Sequence, residues 1–334
     1  MRNPIKDTDY LAISARIKAM ETTLLTRERM EQVLEAKTDD EALKLLQESG
    51  YPQLRGTDPT SLDAALSAAR EESFADLTDS APDPRYIDVF RLKYDYHNIK
   101  VLLKAAAVGA NPNPMLADMG RVSVQQLKDS LAVGETADLP PMLAAAAAEA
   151  KEVLDTTRDP QLSDIVLDRW SYRDMLAVAE ATGSAFLRGY VQVQIDAANL
   201  RALVRTLRMG KNETFLSGVL FEGGDIPADA ILKVSADKGA GLKELYEPTR
   251  FREAAECAQE SLRGGALTEF ERLCDDAVND YLSGAQFVPF GEAPLVGYLA
   301  ARETEYTNLR ILLTGRGTGL SPDVIRSRLR SCQA

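Results

Sequence analysis

Apolar side chains recur along most of this chain at intervals of three and four residues, which is the period of an amphipathic helix. In the segment that begins at Thr26, for example, Met30, Val33 and Leu34 fall on one helical face. The alternation typical of a strand occurs at 190–195 (YVQVQI), but this run leads directly into a helical pattern. We predict that it is helical as well, and that the fold is all-α.

Polar capping residues mark where helices are expected to begin. Thr38, with Glu41 three residues later, fits a capping box, in which the two side chains bond the first free N–H groups of a helix. By the same criteria we predict further helix starts at Thr60, Ser171 and Ser321.

One pattern occurs three times: DYHNIKVLL, DAANLRALV and EYTNLRILL. Each has an acid, then an asparagine three residues on, then a base two residues further, among aliphatic residues. The matched residues are the acids Asp95, Asp196 and Glu305, the asparagines Asn98, Asn199 and Asn308, and the bases Lys100, Arg201 and Arg310. A capped helix is predicted after each copy, in VSVQQLKDSL, IPADAILKVS and LSPDVIRSRL. Copies about one hundred residues apart indicate three homologous helical modules, which we place at 1–109, 110–212 and 213–334, with connections at 109–114 and 210–227.

The position of each repeated residue around its helix predicts its surroundings. At 3.6 residues per turn, the acid falls on the apolar stripe and the asparagine at the edge of that stripe. Buried polar groups are almost always hydrogen-bonded, so we expect both to bond a neighbouring loop or helix end rather than to form a catalytic pair. The base lies off the stripe. Lys100, Arg201 and Arg310 are therefore candidate partner-binding residues, with a solvated helix face as the alternative.

Other candidate chemistry is weak. His97 is the only histidine of the chain, and it aligns with Ala198 and Thr307 in the other copies, so we expect a packed or surface residue. CxxC and HExxH patterns are absent, so neither a metal nor a cofactor is expected. The glycine-rich stretches at 223–225 and 315–319 lack the spacing of a phosphate loop. We predict no catalytic residues.

Charge and composition narrow the class of protein. The 334 residues carry a net charge of −12, which argues against a nucleic-acid binder, because such proteins need a basic face. No apolar run approaches the roughly 20 residues of a membrane span, and the first ten residues lack the core of a signal peptide. The three cysteines are widely spaced, as is typical of reduced thiols. We therefore expect an intracellular protein.

Taken in order, the motifs resemble the C subunit of the V/A-type rotary ATPases, which is called the d subunit in eukaryotes. The opening YLAISARIKAMETTLLTRERMEQVLEAKTDDEALKLL, the central KYDYHNIKVLLKA and the closing ETEYTNLRILLTGRGTGLSPDVIRSRL carry the resemblance. It covers nearly the whole chain and is weakest at 111–170 and 211–290.

The resemblance implies a funnel of three similar helical modules around a pseudo-threefold axis, without catalysis of its own. It implies a peripheral location on the cytoplasmic face of the membrane. The expected partners are the proteolipid rotor ring and the central shaft formed by the D and F subunits, between which the protein would transmit torque for proton or sodium transport. The residues leave open a generic helical adaptor or scaffold, and an all-α enzyme that uses the buried acids as acid/base groups.

Overall fold

The structure is a computed structural model that describes residues 6–56, 58–134 and 136–332. Within these ranges the chain forms helices and turns without a strand, so the prediction of an all-α fold is confirmed, including the helical state of 190–195. Short 3₁₀ helices lie at Asp7–Tyr10, Asn113–Met115 and Gly284–Phe287. The α-helices are α1 (Leu11–Glu21), α2 (Arg27–Glu35), α3 (Asp39–Glu48), α4 (Pro59–Ser80), α5 (Arg85–Val108), α6 (Val124–Val133), α7 (Pro141–Thr157), α8 (Pro160–Thr182), α9 (Ala185–Arg208), α10 (Glu213–Val219), α11 (Ala228–Ala236), α12 (Leu242–Tyr246), α13 (Arg252–Leu262), α14 (Thr268–Ser283), α15 (Glu292–Gly317) and α16 (Pro322–Arg326).

Threonine side chains begin α2 and α3. Thr26 accepts a hydrogen bond from the backbone N–H of Arg29, and Thr38 accepts one from the N–H of Glu41, both at 3.2 Å. The Glu41 carboxylate does not bond the N–H of Thr38, as a capping box requires. It accepts from the N–H of Lys37 instead, at 2.9 Å. Both predicted starts are present, because local capping suffices to define them.

Two predicted helix starts are displaced. The start predicted at Thr60 lies two residues earlier, at Asp58. Ser171 lies inside α8, which begins after Asp159, so the prediction of a start there is wrong. In both helices an aspartate is followed by proline at the first helical position, where its missing N–H costs nothing, and this is the stronger signal. Ser321 precedes α16 as predicted.

Three long helices carry the repeated motif, namely α5, α9 and α15. Phe90 of α5 stacks on Tyr190 of α9, with ring centroids 5.3 Å apart. Lys93 of α5 forms an ion pair with Glu303 of α15, at 2.5 Å, and α15 also packs against α9. The motif-bearing helices therefore meet one another inside the molecule.

Two hydrophobic clusters fill the interior. The larger cluster runs from Tyr10 to Ala301 through most of the helices. The smaller cluster joins side chains from 25–69, in α2, α3, α4 and the segments beside them, to side chains from 306–325, in α15 and α16. A hydrogen bond from Tyr306 to the carbonyl of Ala69, 237 residues apart and 3.1 Å long, crosses it. Two distant parts of the sequence thus share one core, while the module boundaries drawn at 109/110 and 212/213 stay a prediction.

Candidate functional site

Each repeated asparagine is buried and bonds the backbone of one residue in a loop 19 to 22 positions further along the chain. The side-chain amide donates to the carbonyl oxygen of a loop residue, and the side-chain oxygen accepts from the N–H of the same residue. The partners are Ala117 for Asn98 (2.7 and 2.9 Å), Phe221 for Asn199 (2.9 and 2.8 Å) and Arg330 for Asn308 (3.1 and 2.8 Å). A primary amide can donate and accept at once, which a carboxylate cannot. The three copies therefore use asparagine in the same way.

Each repeated acid holds the backbone just before the start of another helix. In every copy one carboxylate oxygen accepts the N–H of the residue that precedes a helix cap. The donors are Val122 before α6 for Asp95 (3.1 Å), Ile226 before α11 for Asp196 (3.1 Å) and Leu25 before α2 for Glu305 (2.8 Å). The acid thus anchors a helix start that lies 27, 30 and 280 residues away along the chain in the three copies.

In the third copy the acid contacts the N-terminal part of the chain, through the N–H of Leu25. A helix follows the third copy as predicted, α16, but the acid of this copy holds the start of α2, where the acids of the other copies hold the starts of α6 and α11. The helix formed by LSPDVIRSRL, α16, lies before the residue that pairs with the asparagine, as α10 does in the second copy. A sequence signal was available, since an aliphatic residue and a hydroxyl cap precede both α6 and α2, as Val122–Ser123 and Leu25–Thr26.

The length of the acid matches the loop that it holds. A β-carbon at Gly120 would overlap the Oδ1 atom of Asp95, and one at Gly224 would overlap that of Asp196. Both glycines stand two residues before the N–H donor. The third copy has Thr23 at this position and carries Glu305, which is one methylene longer. Aspartate is therefore found where this loop position is glycine, and the longer glutamate where the position carries a side chain.

Burial shifts the protonation of these acids. It raises the pKa of Asp196 to about 6, opposed by the N–H donors of Ile226 and Asp225. Burial also raises the pKa of Asp95 and of Glu305, opposed by the arginine beside each, Arg121 and Arg302 respectively. A raised carboxylate pKa can mark a catalytic acid. Here the oxygens lie inside the fold with structural donors on them, an arrangement that suits anchoring.

The bases of the motif form ion pairs within the chain. Each reaches an acid on a helix that packs alongside: Asp168 of α8 for Lys100 (2.5 Å), Glu271 and Asp275 of α14 for Arg201 (2.7 and 2.5 Å), and Asp63 of α4 for Arg310 (2.9 Å). The side chains of Lys100 and Arg201 are 19% and 18% exposed, against 64% for Arg310. The exposure expected from the helical wheel is found only at Arg310, because a single-helix wheel cannot include the neighbour that covers the other two. A partner-binding role for the three bases stays a prediction.

One polar cluster between α4, α5 and α15 was not predicted from the sequence. Glu303 accepts from Arg70 at 2.6 Å and from Lys93 at 2.5 Å, and the Arg70 guanidinium lies 4.8 Å from the ring centre of Tyr306. Its signal lay in the repeat: the residue two positions before the acid is Lys93, Gln194 and Glu303 in the three copies. Opposite charges at equivalent positions of packed helices could have predicted this pair.

His97 is exposed, and its Nε2 atom lies 2.9 Å from the carbonyl oxygen of Met115. Across 6–56, 58–134 and 136–332, no group of three or more histidine, cysteine, aspartate or glutamate side chains is placed to hold a metal ion. In the same ranges no helix has the length and apolar character that crossing a membrane requires.

All three copies of the motif lie within the part of the chain that matches the model of one protein family. The sequence profile described as ATP synthase (C/AC39) subunit matches residues 13–328. The chain belongs to this family. The resemblance to the C subunit of the V/A-type ATPases is thereby confirmed.

Several proteins named as C subunits are similar to the chain over almost its whole length. The C subunit of the V-type sodium ATPase of Enterococcus hirae is 26% identical over 325 residues, which cover 96% of this chain and 98% of the relative. The C subunit of the A-type ATP synthase of Methanocaldococcus jannaschii is 26% identical over 348 residues (96% and 86%). That of Haloquadratum walsbyi is 26% identical over 337 residues (94% and 96%).

Proposed function

We propose that this C/AC39 protein is a non-catalytic central-stalk subunit of a V/A-type ATPase or ATP synthase. The observation that carries the proposal is the family match from residue 13 to residue 328. Relatives named as the C subunits of a V-type sodium ATPase and of A-type ATP synthases support it. The raised pKa values do not favour an enzyme, because the repeated acids are buried and bonded to backbone N–H groups.

In the proposed assembly the protein is a socket on the cytoplasmic face of the membrane. It joins the proteolipid rotor ring to the shaft of D and F subunits, and it transmits torque for proton or sodium transport. Rotation by a shaft loads a socket in shear. The paired asparagine and acid anchors tie each long helix to a loop and to the start of another helix, which suits a part that must not deform.

We further propose that the modules form a pseudo-threefold funnel. Three equivalent sets of contacts around α5, α9 and α15 support this arrangement. They favour modules that begin at these long helices rather than at the boundaries drawn from the repeat spacing. The third module would then combine α15 and α16 with α2, α3 and α4, as the smaller hydrophobic cluster does.

The same contacts would also serve a helical adaptor outside any rotary complex, so the partners decide between the two functions. The test is purification of the tagged chain from detergent-solubilised native membranes, followed by mass spectrometry. We expect the proteolipid ring and the D and F subunits, in amounts comparable to the bait. Recovery of other soluble proteins without these partners would support the adaptor. ATP turnover by the purified chain would contradict a non-catalytic role.

A further inference from the structure

Two of the three repeated acids have an arginine beside them, and the third does not. The Nε atom of Arg121 lies 3.0 Å from the carboxylate of Asp95, and the Nη1 atom of Arg302 lies 2.7 Å from that of Glu305. In the part of the chain that the structure describes, no cationic side chain acts on Asp196. A buried carboxylate without a counter-charge favours its neutral form, because the anion loses its hydration and gains no compensation. The anchor of the second copy therefore differs electrostatically from the other two.

The sequence before the anchored residue explains the difference. The N–H donor Val122 follows Arg121 in the first copy, whereas the donor Ile226 follows Asp225 in the second. A second acid thus stands where the first copy has its cation. Among the described residues of all the helices packed around α9, Asp225 is the one charged group that acts on Asp196. Burial is the main cause of the raised pKa of Asp196, and the like charge of Asp225 adds to it.

The titratable side chain of α12 near Asp196 does not compensate it either. Tyr246 is fully buried, and its hydroxyl has no hydrogen-bond partner among the described residues. Burial raises the pKa of Tyr246, and its interactions with Asp196 and with Cys274 of α14 raise it further. In the third copy, by contrast, the hydroxyl of Tyr51 donates to Glu305. In the described structure the Asp196 carboxylate thus accepts from two backbone N–H groups and from no side chain.

The loop that Asp196 holds lies close to the surface. Its N–H groups, of Asp225 and Ile226, each donate to the carboxylate over 3.1 Å. Of the five residues at 222–226, Ile226 alone is buried, whereas three of the five at 118–122 in the first copy are buried. Water can therefore reach the carboxylate of the second copy after a local displacement of this loop. Opening the loop hydrates the charge that burial disfavours.

We propose that the contact between Asp196 and the loop at 222–226 is a proton-controlled joint. While Asp196 is protonated, the loop stays closed on α9, and once the proton is lost, the loop opens to water more often. The first and third copies respond less over the same pH range, because an arginine opposes the effect of burial on each of their acids. Acidification thus stiffens one of three otherwise equivalent contacts. The joint is a property of the chain itself, so the proposed function can fail without it.

The sign and size of the effect follow from the two protonation equilibria. Burial raises the pKa of Asp196 to about 6 in the closed form, against about 3.9 for a hydrated aspartate. The closed form holds the proton more tightly, so opening becomes easier as pH rises from 4 through 6. The opening constant should rise about tenfold between pH 5 and pH 7, and about a hundredfold over the whole titration.

The test is hydrogen–deuterium exchange of the full chain at pH 5 and pH 7, read by mass spectrometry and corrected for the pH dependence of intrinsic exchange. In peptides that contain 222–226, the opening constant of the parent should rise about tenfold. In Asp196→Asn, which does not titrate, the rise should be less than about twofold. Peptides that contain 118–122 serve as the internal reference and should change by less than about threefold.

Asp225→Arg tests the cause, since it places an arginine where the first copy has Arg121. It should keep the loop closed at pH 7 and reduce the rise to less than about threefold. Asp225→Asn is the matched control, because it removes the same carboxylate without adding a cation. It should keep most of the rise seen in the parent.

Three results would overturn the joint. The first is an opening constant at 222–226 that does not change between pH 5 and pH 7 in the parent. The second is an equal rise in Asp196→Asn or at 118–122, which would indicate that the whole molecule loosens. The third is a folded Asp225→Arg that keeps the full rise. If circular dichroism shows that Asp225→Arg does not fold, the comparison of the parent with Asp196→Asn decides alone.

Discussion

At the scale of single residues, the repeated asparagine satisfies both the backbone N–H and the carbonyl oxygen of one partly buried loop residue. Replacing it by an apolar residue removes the side-chain partner of both groups inside the fold. An unpaired buried polar group costs more than the hydrogen bond contributes when made. This asymmetry explains why the same amide geometry recurs in three copies whose other residues differ.

We expect Asn199→Leu to lower the free energy of unfolding by about 1–3 kcal/mol, because it leaves the N–H and carbonyl of Phe221 unpaired. The matching changes at Asn98 and Asn308 should have effects of similar size. Urea unfolding measures all three. The exposed Gln286→Leu serves as control and should change stability by less than about 0.5 kcal/mol. No loss in any of the three variants would mean that water replaces the amide at these loops.

A second prediction at this scale concerns how the protonation of Asp196 makes the free energy of unfolding depend on pH. Burial raises its pKa to about 6 in the folded chain, against about 3.9 when unfolded. Well below pH 4 both states hold the proton, whereas above pH 6 the folded state must bury a charge. Its contribution to the free energy of unfolding therefore falls by about 2 kcal/mol as pH rises from 4 to 6, out of about 3 kcal/mol over the whole titration.

The measurement compares the parent with Asp196→Asn by urea unfolding at pH 4 and pH 7. Asparagine does not titrate, so the difference between the two proteins isolates the carboxyl group. We expect the parent's advantage over the variant to shrink as pH rises. An advantage that grows instead would show that the two backbone donors hold the anion more strongly than burial opposes it.

At the scale of helices and loops, sequence reasoning succeeded where the cause is local. The caps at Thr26 and Thr38 and the helical state of 190–195 depend on neighbours in the chain, and they were predictable. The bond from Leu25 to Glu305 joins residues 280 positions apart, and the sequence marks it only by the match of Leu25–Thr26 to Val122–Ser123. The covering of Lys100 by α8 was hidden for the same reason, since it depends on how the helices pack.

The fit between loop and acid gives a prediction at this scale. In Gly224→Ala the new β-carbon would overlap the Asp196 carboxylate, so the loop or the acid must shift. We expect a loss of about 1–3 kcal/mol in the free energy of unfolding. Gly218→Ala in α10 is the control, because nothing lies within 4 Å of its new β-carbon. That change should be neutral or stabilising by up to about 1 kcal/mol. Equal effects of the two substitutions would contradict the close approach at Gly224.

At the scale of the whole molecule, the two hydrophobic clusters are not consecutive stretches of the sequence. The smaller one combines residues 25–69 with residues 306–325. The smaller one depends on α16 for Ile325, and on the ion pair between Arg326 and Glu31, at 2.9 Å. Removing residues 321–334 takes away these contacts and also the Arg330 partner of Asn308. The larger cluster keeps its own packing in such a truncated chain.

We therefore expect the chain truncated after Leu320 to lose protection locally. Hydrogen–deuterium exchange followed by mass spectrometry should show faster exchange in peptides of α2, α3 and α4, with little change in α8 and α9. The latter helices serve as the internal reference. A uniform increase over all peptides would mean that the two clusters unfold as one cooperative unit.

The smaller cluster also has a consequence for synthesis on the ribosome. The α2–α4 segment leaves the exit tunnel long before α15, because their contacting residues, such as Ala69 and Tyr306, are 237 positions apart. At about 5–20 residues per second, the delay is on the order of 10 to 50 seconds. During that interval the nascent segment exposes the apolar face that α15 later covers. It is the part of the newborn chain on which a chaperone has the longest time to act.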